Sequence, residues 1–110
     1  MEERRRFARI QVDLRLKFKS LARLEGLIEA HAADLSSGGM FIRTKNVKAV
    51  GTGVEIEFPI PGDEGCTVRG TVRSIRYDSG EPVGMGIEFE ELPDPVRGLI
   101  HYLSNKDKYT

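Results

Sequence analysis

Two short segments of this sequence carry side chains suited to binding a phosphate-bearing ligand. The first is a run of four arginines within residues 4–9: Arg4, Arg5, Arg6 and Arg9. The planar guanidinium group binds phosphate oxygens through two parallel hydrogen bonds and also lies flat against a purine base. Because Arg5 and Arg9 stand four residues apart, a segment that wraps over an anion would hold it from two sides. Taken alone, the run fits a solvated basic terminus equally well.

The second segment is the stretch Asp34-Leu35-Ser36-Ser37-Gly38-Gly39, which we predict to form a tight polar loop. Its two glycines are expected to let the backbone turn with positive φ. The carboxylate of Asp34 accepts paired N–H donors such as those on the edge of guanine, and the Ser36 hydroxyl and the loop amides act as donors. Leu35 is expected to fill the core. Taken alone, the stretch fits an Asx-type turn between two strands better than a binding site.

Alternating patterns predict the strands that position these segments. Val12, Leu14, Leu16 and Phe18 alternate with polar residues over 11–19, which is the period of a strand with one face on a core. Similar reasoning predicts further strands within 26–33, 40–44, 53–60, 67–77 and 84–90. Six short strands separated by turns predict a small antiparallel barrel.

The strand predicted over 67–77 changes phase. Its apolar residues fall on even positions at Val68 and Val72 and on odd positions at Ile75 and Tyr77. A change of phase within one strand predicts a β-bulge or bend near residues 73–74. After the last strand the period becomes that of an amphipathic helix over 94–105.

The charge is balanced overall but uneven along the chain. The sequence has 17 basic and 17 acidic side chains among 110 residues, which excludes a generally basic nucleic-acid binder. Residues 1–25 hold eight basic and four acidic side chains, so any affinity for an anion is expected to be local. We therefore expect a compact anion to bind better than a long polyanion.

Side chains for catalysis and metal binding are few. The sequence has one cysteine, Cys66, and two histidines, and it shows no Cys/His zinc pattern, Ser-His-Asp arrangement or phosphate-binding P-loop. We expect no enzyme activity, no catalytic residue, no metal and no cofactor. Because there is one cysteine, no apolar run of membrane-spanning length and no secretory signal, the sequence predicts a cytoplasmic protein.

The order and spacing of the two segments resemble the PilZ domain family. An Arg-x-x-x-Arg arm over 5–9 is followed, 25 residues after Arg9, by the Asp-x-Ser-x-x-Gly stretch over 34–39. The late strand 84–89 and the terminal helix match as well, so the resemblance spans essentially the whole chain. It implies one domain over 1–110, with a flexible basic arm at 1–10, a six-stranded antiparallel split β-barrel at 11–92 and a C-terminal helix at 94–105.

The resemblance also implies a function, that of a bacterial receptor for cyclic di-GMP (c-di-GMP) whose arginine arm folds over the ligand. Arg5 and Arg9 would hold phosphates and the O6/N7 edges of guanine. Asp34 and Ser36 would engage the other guanine edges, and Gly39 would shape the loop. The signal is expected to pass to a protein partner, because a chain of this length leaves no room for an effector domain.

Further residues are secondary candidates under the same resemblance. Arg4 immediately precedes the motif and Arg6 lies within it. In the family an extra arginine at the position of Arg4 tends to accompany an intercalated ligand dimer, so a two-ligand site is a hypothesis. Ser74 stands where many members place an aromatic residue or an arginine that stacks on a base. Arg76 is a candidate to take over that role.

Two other functions remain open. In the first, the barrel is a protein-interaction module that needs no nucleotide, although the intact set of motif residues argues against it. In the second, the arm binds RNA or DNA without regard to sequence. The strands lack the exposed aromatic platform that such binders use, so nucleic acid is disfavoured as a partner.

Overall fold

The computed structural model describes residues 9–22, 25–60 and 66–105. This part of the chain contains six strands and one helix. They are β1 (Ile10–Ser20), β2 (Ile28–Leu35), β3 (Gly39–Arg43), β4 (Gly53–Phe58), β5 (Cys66–Asp78), β6 (Glu81–Phe89) and α1 (Asp94–Asn105). The fold class predicted from the sequence, an antiparallel six-stranded barrel with a C-terminal helix, is confirmed.

The six strands form a closed barrel in the order β1-β2-β3-β6-β5-β4. β4 closes it by pairing with β1, where Phe18 lies opposite Ile56. The alternation seen in the sequence favours this closure, because along most of the strands alternate side chains point into one shared core. The buried core side chains from the strands include Leu16, Phe18, Leu35, Met40, Ile42, Val54, Ile56, Phe58, Val68, Val72, Met85 and Ile87.

Helix α1 packs near the end of the barrel at which β1 begins. Its residues Val96 and Ile100 are buried in the same core as the strand residues. Leu103, one turn later, lines a small cavity of about 150 Å³ together with residues 11–14 of β1. Within the described residues, no helix is long and apolar enough to cross a membrane.

The same end of the barrel brings together three segments that are distant in sequence. Leu35, at the end of β2, pairs with Ile10 at the start of β1 and with Met40 in β3. Gly39, at the start of β3, pairs with Glu88 near the end of β6. The start of β1, the loop between β2 and β3 and the end of β6 therefore lie side by side, and they surround the candidate site.

Candidate functional site

A groove of about 480 Å³ lies on the outer surface of the barrel between the β2–β3 loop and strands β5 and β6. This volume is typical of small-molecule sites in proteins. One flank is formed by the residue that precedes β1, and the floor is formed by the outward-facing positions of β6. The lining residues are Arg9, Ser36, Ser37, Gly38, Gly39, Arg73, Ser74, Gly86, Ile87, Glu88, Phe89 and Glu90.

The β2–β3 loop is shorter than the sequence predicts. Asp34 belongs to β2, where it pairs with Gln11 and with Phe41, and β2 ends only at Leu35. The prediction of a loop over 34–39 is therefore wrong at both ends, because ladder pairing extends through Asp34 and resumes at Gly39. The connection is left with residues 36–38.

A single buried side chain holds this short connection in shape. The Ser36 hydroxyl accepts hydrogen bonds from the amides of Gly38 at 3.1 Å and Gly39 at 3.2 Å, and it lies 3.3 Å from the Gly39 carbonyl oxygen, to which it donates. The Ser36 amide also donates to that carbonyl at 2.9 Å. Since Ser36 is 1% exposed, its hydroxyl affects the wall of the groove by fixing the conformation of the loop. The neighbouring Ser37 is exposed to solvent.

The glycine at the end of the loop is required for a reason other than the predicted one. Among the described glycines, positive φ occurs at Gly51 and Gly80, so the expected left-handed turn at Gly39 is wrong. A Cβ on Gly39 would instead lie closer than 3.0 Å to the carbonyl oxygen of Ile87 and 3.3 Å from its carbonyl carbon. The backbones of β3 and β6 approach one another so closely here that a side chain has no room.

Arg9 and Asp34 form an ion pair at one flank of the groove, joining Nη1 to Oδ1. The Arg9 side chain is 54% exposed and that of Asp34 is 20% exposed. The structure therefore brings together two residues that the sequence motifs predicted to share one site. Arg4, Arg5 and Arg6 lie outside the described residues.

The opposite flank is formed by the β-bulge that the sequence predicted in β5. Val72 pairs with Ile87 and Ser74 with Gly86, so the register shifts at Arg73, which has no partner on β6. The bulge turns Ser74 to the outer face together with Arg73, and both residues line the groove. A second shift follows Arg76.

Tyr77, which follows the second shift in β5, does not lie on the inward side that the sequence predicted. Tyr77, which the alternation placed on the inward side with Ile75, is 60% exposed. Beyond the shift, Tyr77 pairs with Pro82 near the tip of the β5–β6 hairpin, past the stretch of β5 that pairs with β4. The barrel therefore has no interior at this level for the ring to fill.

Arg73 also has a partner that sequence patterns gave no reason to expect. Its Nε lies 2.5 Å from Oε1 of Glu88, and the two side chains are 62% and 57% exposed. Glu88 alternates with the apolar residues Ile87 and Phe89, a pattern that by itself indicates only a solvent-facing side chain. The pair depends on the position of the bulge and on the register between β5 and β6, neither of which a period of two in one strand specifies.

Arg76 takes a different position from Ser74. Its guanidinium carbon lies 4.1 Å from the ring centroid of Phe41, a cation–π geometry. Phe41 itself covers Gly84, where a Cβ would overlap the ring. Arg76 is not among the residues that line the groove, so the groove wall next to Gly86 is formed by Ser74.

The sequence profile of the PilZ domain matches residues 3–105 of the chain. The chain belongs to the PilZ domain family. No curated protein matches it at the level of sequence. PilZ domains are ligand-binding and regulatory modules, and their match here extends across the arm, the barrel and the helix.

Solved structures share the fold. The inhibitor of motility MotI/DgrA of Bacillus subtilis matches with a TM-score of 0.71 at 19% identity, over 94% of this chain and 51% of that one. The PilZ domain of CeSA from a cellulose-synthesizing bacterium matches with 0.68 at 16% identity, over 88% and 98%. PlzA of Borreliella burgdorferi, solved in complex with c-di-GMP, matches with 0.66 at 18% identity, over 87% and 39%. This PilZ chain thus spans about half or less of MotI and PlzA.

The charges of this PilZ groove are mixed. Among the described residues, the guanidinium groups of Arg9 and Arg73 and the carboxylates of Glu88 and Glu90 line it. It therefore offers donors to phosphates and to acceptor edges, and it offers acceptors to N–H groups.

His31 lies away from the groove, where it contacts Asp13 at 2.7 Å on the exposed face of β1 and β2. The groove lining contains no histidine.

Proposed function

We propose that this PilZ domain is a bacterial c-di-GMP receptor that uses the groove as its binding site and signals to a protein partner. The observation that carries the proposal is the ion pair between Arg9 and Asp34, which joins the arginine arm to the Asp-x-Ser-x-x-Gly segment across 25 residues of sequence. Arg9 lines the groove, and the loop that follows Asp34 forms its wall. These contacts support the assignment of both motifs to one site.

The chemistry of the ligand fits this arrangement. Each guanine of c-di-GMP presents two acceptors, O6 and N7, on one edge and the N1–H and N2–H donors on another. Arginine reads the acceptor edge through two parallel hydrogen bonds, and a carboxylate accepts the two N–H donors. Arg9 and Asp34 supply both groups, and the two phosphates of the ligand provide further acceptors for the arm. The Ser36-centred loop holds the wall in place.

We further propose that the arm closes over the bound ligand. Arg9 lies at the edge of the groove, and Arg5 is the primary candidate in the arm for a second contact with the phosphates. Arg4 and Arg6 are secondary candidates. A stoichiometry of two c-di-GMP molecules per chain would support the hypothesis that Arg4 accompanies a ligand dimer, and a stoichiometry of one would not. Closure would change the surface available to a partner protein. That MotI/DgrA is named an inhibitor of motility supports a regulatory role of this kind.

Isothermal titration of the purified chain with c-di-GMP tests the proposal. Loss of an arginine or carboxylate that reads guanine costs about 1–3 kcal/mol, so Arg9→Ala and Asp34→Ala should each weaken binding about 5- to 150-fold. Matched controls are Arg15→Ala, on the exposed face of β1, and Asp78→Ala, at the far end of β5. Absence of binding by the wild-type chain, or equal losses in the control variants, would contradict the proposal.

Two companion measurements address the arm and the partner. Trypsin cleavage at Arg4, Arg5 and Arg6, followed by mass spectrometry, should slow when c-di-GMP is added if the arm closes. An affinity capture carried out with and without c-di-GMP should recover a partner in a nucleotide-dependent way. Recovery of the same partner at the same level in both samples would favour the nucleotide-independent interaction module.

A further inference from the structure

The groove has an arginine–carboxylate pair on each of its two flanks. On one side Arg9 pairs with Asp34, from the start of β1 and the end of β2. On the other side Arg73 pairs with Glu88, from β5 and β6. In the barrel, β3 separates these two groups of strands, and both arginines line the same groove. The motifs predicted that Arg9 and Asp34 share a site, whereas Arg73 and Glu88 belong to neither motif.

The ligand proposed for this groove also carries its recognition elements twice. It has two guanines, and each guanine needs donors for O6 and N7 and acceptors for N1–H and N2–H. We propose that Arg73 and Glu88 are a second guanine-reading pair, which determines specificity at the base remote from Asp34. This inference rests on the proposed binding of c-di-GMP.

The local backbone supports a role for this pair in binding. Glu88 lies opposite Gly39 on one side and opposite Thr71 on the other. Because Gly39 has no side chain, no side chain stands next to Glu88 at this position of β3. On the far side, the bulge places Arg73 and Ser74 together on the outer face. Donors and acceptors therefore converge on the same stretch of groove floor.

Breaking the ion pair between Arg73 and Glu88 costs little free energy. Both side chains are more than half exposed, and such pairs contribute only about 0.2–1 kcal/mol. A guanine that replaces the contact gives the guanidinium two acceptors and the carboxylate two donors. Each side chain thus exchanges one partner for a bidentate one, which favours separation of the pair by the ligand.

The alternative is that Glu88 merely repels anions and masks Arg73. In that case removal of its charge would strengthen binding of every cyclic dinucleotide by the same factor. If Glu88 instead binds guanine, removal of its charge should weaken binding of the ligand with guanine at this position and affect the ligand with adenine less. The reason is that adenine has no N1–H donor at the corresponding position. The ratio of affinities for ligands that differ in one base therefore separates the two roles.

The experiment compares c-di-GMP with 3′,3′-linked cyclic GMP–AMP, in which one guanine is replaced, by isothermal titration of the full chain. The wild-type chain should prefer c-di-GMP. Glu88→Gln should weaken c-di-GMP binding about tenfold and reduce that preference by a similar factor, since a bidentate contact to guanine contributes about 1–3 kcal/mol. Glu57→Gln is the matched control, because it removes the same charge from an exposed position of β4 that does not line the groove, and it should leave the preference unchanged.

Arg73 provides a second, independent variant. Arg73→Lys keeps the charge but loses the planar fork, so it should weaken c-di-GMP binding and lower the preference over cyclic GMP–AMP. Circular dichroism verifies that each variant is folded. If the wild-type chain binds c-di-GMP but Glu88→Gln leaves the ratio unchanged or strengthens both ligands equally, the second pair is not a guanine reader. If the wild-type chain binds neither ligand, the proposed function fails, and this inference fails with it.

Discussion

Replacement of Gly39 by alanine tests how the barrel and the groove depend on one another. A Cβ at this position would lie closer than 3.0 Å to the carbonyl oxygen of Ile87, whereas an ordinary contact needs 3.4 Å or more. Because the obstructing atoms belong to the backbone, no rotation of a side chain relieves the overlap. The β3 and β6 backbones must move apart by at least several tenths of an ångström.

The expected cost is that of inserting a methyl group into a closely packed site, about 1–3 kcal/mol in the free energy of unfolding. For a domain of this size, 1 kcal/mol corresponds to roughly 4 °C in the melting temperature. Gly39→Ala should therefore melt about 4–12 °C below the wild-type chain. Thermal and urea unfolding followed by circular dichroism measure the loss, and Gly26→Ala is the control, since nothing lies within 4 Å of its Cβ position.

The same substitution should also disturb binding at temperatures where the variant is folded. The Gly39 amide and carbonyl both bond to Ser36, so a displaced Gly39 moves the loop that forms the wall of the groove. We expect c-di-GMP affinity to fall about tenfold or more, because hydrogen bonds to charged groups contribute about 1.5–3 kcal/mol each. A Gly39→Ala chain that melts with the wild type and binds equally well would refute the reasoning.

Three further predictions concern other parts of the chain. Gly98→Ala, in the exposed interior of α1 with open space at its Cβ, should raise stability by about 1 kcal/mol in urea unfolding, and an unchanged midpoint would count against it. Arg76→Ala should lower stability by about 0.5–1 kcal/mol through loss of its contact with Phe41. The same variant should change c-di-GMP affinity less than Arg9→Ala does, and the reverse order would restore Arg76 to the site. Raising the salt concentration from about 0.05 to 0.5 M should weaken c-di-GMP binding several-fold by screening, and a salt-independent affinity would contradict the proposed phosphate contacts.

Much of the barrel could be predicted from the sequence because its strands have one buried face. In β1, Leu16 and Phe18 are buried and the residues between and beside them are exposed or half-buried. The change of phase in β5 predicted a bulge near residues 73–74, and the register between β5 and β6 shifts at this point. The resemblance to PilZ domains also predicted that Arg9 and Asp34 share a site, and the pairing of the ends of β1 and β2 brings these two residues together.

The remaining features depend on distances between strands, which periodicity does not specify. The need for glycine at position 39 comes from its approach to Ile87 in another strand, and not from the dihedral angle that the Gly-Gly dipeptide suggested. The pairing of Arg73 with Glu88 depends on how the bulge directs one side chain toward the neighbouring strand. Such contacts become visible only when the register of β3, β6 and β5 is known.

An amide chemical-shift titration of the ¹⁵N-labelled chain with c-di-GMP tests the central claim most directly, because it reports both binding and its location. The largest changes should fall on three stretches that surround the groove: 37–39, 73–74 and 86–88. The amides near Glu55, Thr67 and Arg69, which line a second surface cavity that shares only Glu90 with the groove, should change little. Saturable changes confined to the groove would support the proposed receptor. No change at all, or changes centred on that other cavity, would contradict it.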